Sequence, residues 1–174
     1  MQHYHVLSRH SQAGISKSNA VAERANRDVE SMARTLLGQA GLPACYWPLA
    51  APCATFSENV RGGDASAYQL ATGEVFTGEL VPFGSKVLFH PNEAQGATYH
   101  KMEPRSRVGI VAGYSLKSGY KWDGHYLIWD LKDFVGKDFH AQADCSKHRG
   151  ITLHRVKGLV IPTDGVVFPL KDEY

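Results

Sequence analysis

No run in this sequence approaches the roughly 18 consecutive apolar residues that a membrane-spanning helix needs, so no span is expected. Cysteine is scarce. Cys45, Cys53 and Cys145 are too few and too scattered for a disulfide framework, and a reducing compartment is the expectation. The opening MQHYHVLSRH is polar and His-rich, without the apolar stretch of a secretory signal. There is no Walker- or Rossmann-type Gly-rich loop to cradle phosphates, no internal repeat and no low-complexity segment. No aspartate precedes Asp28.

What is present reads as an ordinary globular chain. Its 174 residues suffice for one domain or two small ones, and 43% hydrophobic with 21% charged residues argues against wholesale disorder. The net charge of +2 is unevenly spread. Lys101, Arg105, Arg107, Lys117 and Lys121 face only Glu103 within 101–121, and Lys147, Arg149, Arg155 and Lys157 face no acid within 145–157. Between them, Asp130, Asp133, Asp138 and Asp144 outnumber Lys132 and Lys137. Local basic runs of this size suit phosphate backbones, and they also serve as solvated surface.

The hydrophobic pattern changes character along the chain. Residues 3–7 alternate as a short strand would, and 8–18 read as a loop. Ala22, Ala25, Val29, Met32, Leu36 and Ala40 then recur at helical spacing, which predicts one helix over 19–41 with these residues inward. Ser18 or Asn19 caps its start and Gly41 its end, while Glu23, Arg27, Glu30 and Arg34 occupy the polar face. A second helix is expected over about 45–59, with Pro48 in its first turn and a kink or later start at Pro52. A short third covers 65–71. From about residue 80 the texture is β: 86–89, 108–114 and 125–129 are β-branched or aromatic runs, and Asp123-Gly124 is a hairpin signal. Weaker strands are expected near 151–156 and 165–168. Short strands at this spacing predict a small barrel.

Few constellations carry chemistry on their own. Cys145 and His148 have a zinc-like gap and His154 follows, but no second pair completes a tetrahedral site. A Cys/His nucleophile pair built on Cys45 or Cys53 has no local signature. Glu23, in the first turns of a helix, reads most simply as a helix-dipole and ion-pairing residue.

A collinear set of motifs adds a sharper expectation. Asn19-Ala-Val-Ala-Glu-Arg24, then Met32-Ala-Arg34-Thr-Leu-Leu, Ala40-Gly-Leu-Pro43 and Tyr46-Trp47 resemble the end of a copia-type retrotransposon integrase core. Tyr68-Gln-Leu-Ala-Thr-Gly73, Pro82-Phe83-Gly84 and Lys101-Met-Glu-Pro104-Arg105-Ser106-Arg107-Val-Gly109 onward to Tyr114 resemble the SH3-like domain that follows it. The resemblance implies an α+β chain. Residues 1–75 would be the helical end of an RNase H-like core, 80–135 an SH3-like β-barrel, and 136–174 an extension with short strands. It further implies metal-dependent DNA strand transfer in the parent protein, by a catalytic Asp, Asp, Glu set holding Mg2+ or Mn2+. Glu23 aligns with the third carboxylate, as catalytic residue and metal ligand.

The implied partners are DNA, at the element's ends and at its target, and further copies of the chain. The implied locations are a cytoplasmic virus-like particle and the nucleus. Ala20 stands where the family has Gly, and Ile15-Ser16-Lys17 replaces a common Thr-Pro-Gln. Both aspartates would lie upstream of Met1, and one carboxylate does not hold two metals, so the isolated chain is expected to be inactive. Lys101, Arg105, Arg107, Lys117 and Lys121 are the candidate phosphate contacts. Tyr114, Tyr120 and Trp122 are candidates for base stacking, or for core packing. The alternative reading is a non-enzymatic SH3-like module that binds protein or DNA.

Overall fold

The computed structural model describes residues 19–62, 65–91, 102, 104–140, 143–163 and 165–171. The chain has an α+β architecture of three helices on a five-stranded antiparallel sheet. The strand expected at 3–7 and the loop at 8–18 lie outside the described residues.

Helix α1 (Ala20–Ala40) ends where Gly41 enters the left-handed region at φ 68° and its N–H returns to Leu37 O. A side chain at Gly41 would collide with the Leu170 backbone, so the stop is also a packing contact. The buried stripe is Ala33, Leu37 and Ala40. The expected stripe is therefore rotated: Val29, Met32 and Leu36 are half-buried, while Ala22 and Ala25 are exposed. Every residue from 20 to 28 is exposed, so the first turns of α1 stand clear of the body. A 3-10 turn (Ala44–Tyr46) leads into α2 (Trp47–Val60), which continues through Pro52. Helix α3 (Ala67–Thr72) is capped by Ser66, whose hydroxyl accepts from the Gln69 N–H at 3.2 Å.

The strands are β1 (Lys86–Phe89), β2 (Arg107–Lys117), β3 (Lys121–Asp130), β4 (Leu153–Val156) and β5 (Leu159–Val160), in the order β4-β3-β2-β1-β5. The sheet thus extends past residue 135, because β4 and β5 belong to it, and 165–168 forms no strand. The hairpin turn falls at 118–120, with Tyr120 at φ 64°, and Asp123-Gly124 lies inside β3.

Chain length forces the sheet to curl. β4 and β5 sit at opposite ends of the ladder, yet only Lys157-Gly158 joins them, and three Cα steps reach at most about 11 Å. Phe89 on β1 accordingly touches His154 on β4, with ring centroids 5.1 Å apart, across the interior of the curl. One buried cluster unites both layers. It runs from Ala33, Leu37 and Phe56 on the helices through Val87, Ile110 and Trp129 on the sheet to Leu170. Phe56 of α2 packs 4.6 Å from Tyr114 of β2. The helices bury their apolar faces on the sheet.

Candidate functional site

Glu23 sits in the first turn of α1, exposed, with no hydrogen bond or ion pair among the described residues. The next acid along the helix, Asp28, is five positions on, and at about 100° per residue it points well away. No group of three His, Cys, Asp or Glu capable of holding a metal occurs among the described residues. These residues by themselves do not fit a divalent-metal pair, and no reaction step is derived through one. His148 bonds instead to Tyr46, Nδ1 to Oη at 2.8 Å, and His154 is buried inside the curl. Cys45 and Cys53 offer no thiolate there either. Cys45 is disulfide-bonded, although the cysteines are too few and too scattered for a disulfide framework. Cys53 is free but buried, and burial pushes its thiol up to about 12.

The candidate phosphate contacts do not form one patch. Lys101 lies outside the described residues. Arg105 and Arg107 stand at the start of β2 and Lys117 at its end, roughly 30 Å away at about 3.3 Å per residue. Arg107 is half-buried and pairs with Asp130, Nη1 to Oδ2 at 3.3 Å. Asp130 is itself 2% exposed; it also accepts from the Lys132 N–H and pairs with the Lys132 ammonium at 3.2 Å. Lys121 reaches Glu74 at 2.5 Å. Arg105 and Lys117 are exposed and carry no ion pair among the described residues. Of the four that are described, these two present a charge to solvent without a carboxylate beside it among the described residues.

The candidate stacking aromatics belong to the packing. The Tyr114 hydroxyl accepts from the Val81 N–H at 2.9 Å and its ring is buried, which raises its pKa. Trp122 donates its indole N–H to His125 O at 3.0 Å and lies edge-on to Phe76 at 4.8 Å. Tyr120 packs 6.1 Å from Phe56.

Two concavities were not foreseen as such. A groove of about 380 Å³ runs between α1 and α2, walled by Met32, Leu36, Ala54 and Phe83. A second, of about 490 Å³, is lined by His90, Pro91, His125, Arg155, Val156, Lys157 and Gly158. Three of its residues, Arg155, Val156 and Lys157, lie in the basic run 145–157, but His90 and His125 reach it from distant segments. Beneath it Asp123, its side chain 3% exposed, accepts from Ser115 Oγ at 2.8 Å and the His125 N–H at 3.0 Å, and pairs with Arg155. Burial alone would raise the pKa of Asp123; the bonds from Ser115 and His125 and the Arg155 charge bring it below the ordinary value.

Compared with known proteins, the chain matches no family model, no curated protein and no solved structure.

Proposed function

We propose that this chain is part of a retroelement integrase: the last helices of its RNase H-like catalytic core joined to an SH3-like barrel. In that reading Glu23 is the third metal-binding carboxylate of the complete core, and the chain contacts DNA without performing strand transfer alone. The observation that carries it is Glu23 itself. The motif Ala20-Val-Ala-Glu-Arg24 falls in the exposed first turns of α1, on a rigid helical mount, and leaves the carboxylate unengaged among the described residues. The sheet order β4-β3-β2-β1-β5 adds support, since a meander whose last strand returns to the first is the order of an SH3-like barrel.

The test is a chimaera that joins the aspartate-bearing upstream strands of an active copia-type integrase to this chain. Mg2+-dependent strand transfer that survives Glu30→Gln and is abolished by Glu23→Gln is the expected result. Equal activity of the two variants would remove Glu23 from the metal site.

A second reading, the non-enzymatic interaction module, is favoured by the single core that unites helices and sheet. In that case the helical layer is a permanent part of the barrel, and the chimaera shows no transfer at all.

A further inference from the structure

The concavity lined by His90, His125, Arg155 and Lys157 lies where two strand ladders run out together. In the β3–β4 ladder Tyr126 pairs with Val156, and the register carried one step further sets His125 opposite Lys157. In the β1–β5 ladder Phe89 pairs with Leu159, and one step further sets His90 opposite Gly158. The connection Lys157-Gly158 therefore draws side chains from β3, β4 and the end of β1 around one opening. The space beside Gly158 is empty: a Cβ there would meet nothing within 4 Å.

The electrostatics of this opening are one-sided. Among the described residues, no acidic side chain lines it. The Asp123 carboxylate, its side chain 3% exposed, stands beside the lining residues His125 and Arg155 and is already occupied by them and by Ser115. Arg155 uses one edge of its guanidinium on Asp123 and remains about half exposed, at 49%, with further N–H donors free to turn outward. Lys157 is exposed and has no ion pair among the described residues. Asp123 also fixes the His125 ring, with Nδ1 3.0 Å from Oδ1, and leaves Nε2 without a partner among the described residues. A ring held in this way donates from Nε2 when protonated. The His90 ring is turned toward its neighbour's backbone, with Nδ1 3.1 Å from Pro91 O.

We propose that this opening is a binding site for a phosphate group, held by Arg155 and Lys157 and flanked by His125 and His90. Donors that converge from three chain segments suit a tetrahedral anion better than a planar carboxylate, which a single fork satisfies. The volume of about 490 Å³ leaves room for what the phosphate is attached to. The group is either a free phosphate compound or a nucleic-acid phosphodiester, and the chemistry of recognition is the same. The site stands on geometry independent of the integrase reading.

The experiment is a titration of the full chain with inorganic phosphate, followed by NMR of the backbone amides and histidine ring protons, against chloride at matched ionic strength. Saturable shifts at Lys157, Gly158, His125 and His90 are expected, with chloride giving none. Lys157→Gln should weaken binding about three- to tenfold, as loss of one charged donor does at an accessible site. Lys171→Gln, an exposed cation outside the opening, should leave it unchanged.

Two results overturn the proposal: no saturation before ionic strength reaches about 0.1 M, where surface charges are screened, or phosphate affinity that ignores Lys157→Gln. A single-stranded oligonucleotide separates the sources. Shifts at the same residues, displaced by phosphate, assign a phosphodiester. DNA binding that leaves these residues unshifted, beside phosphate binding that shifts them, assigns a free phosphate compound and keeps the DNA reading separate.

Discussion

Phe89 and His154 lie ring to ring at 5.1 Å, although two strands separate theirs in the ladder. The contact places an imidazole inside the curled sheet, 4% exposed and with Nδ1 unpartnered among the described residues. Burial depresses its pKa below the ordinary 6.5, and the nearby Asp130 charge only partly opposes this. The folded state therefore holds His154 neutral where the unfolded chain protonates it. Its contribution to stability is complete above pH 6.5 and is lost as pH falls from there through the depressed folded value. Urea midpoints measured across this range should fall with acid in the native chain and fall less in His154→Phe. Parallel curves for the two proteins would contradict the burial.

Helices and sheet should unfold as one unit. Phe56 is fully buried between α2 and the sheet, against Tyr68, Phe76 and Tyr114. Phe56→Ala should cost about 3–5 kcal/mol. Its far-ultraviolet circular dichroism and tryptophan fluorescence should shift together on one denaturation curve. Separate transitions for helix and sheet would show two independent domains.

Two glycines with similar backbones should respond differently to alanine. Gly84 has φ 75° and a Cβ there would sit 2.2 Å from the Ala40 Cβ, whereas Gly119 has φ 81° and open space around it. Gly119→Ala should cost about 1–2 kcal/mol, the strain of a left-handed alanine. Gly84→Ala should add about 1–3 kcal/mol of overpacking to that. Thermal melts of the two variants check the ordering.

DNA binding, measured by fluorescence anisotropy against salt, should depend on exposed rather than paired cations. Each phosphate contact adds about 0.9 to the logarithmic salt slope. Arg105→Ala and Lys117→Ala should each flatten it by about that amount. Arg107→Ala should leave the slope unchanged and instead cost about 1–3 kcal/mol of stability, because it removes a partner from the buried Asp130. A slope that drops with Arg107 and ignores Arg105 would reverse this assignment.

Local signals located most elements. The helix over 19–41, the proline-led second helix and the strand 86–89 follow from periodicity and turn residues, and Gly41 ends α1 as its position predicts. The buried stripe of α1 was rotated onto Leu37 and the small residues flanking it: Ala33 and Ala40 let α1 approach its neighbours closely, whereas Val29 and Met32 lie at the margin. The Asp123-Gly124 signal failed for a tertiary reason. Arg155, 32 residues away, and Ser115 hold the Asp123 carboxylate within the sheet, and two register shifts in the β2–β3 ladder move the turn to 118–120. The cationic opening was half legible, since Arg155 and Lys157 form part of a basic run. His90 and His125 joined it only through strand register, which no local window contains.

The two-residue passage through Lys157-Gly158 also governs how copies of this chain meet. An open five-stranded sheet would offer unpaired amide and carbonyl groups along both flanks, a template for another strand. Here the flanking strands are β4, four residues long, and β5, two residues long, turned toward each other by the tether between them. Along β4 and β5 themselves, so little edge is offered that edge-to-edge polymerisation, the common fate of exposed β-structure, has almost nowhere to begin.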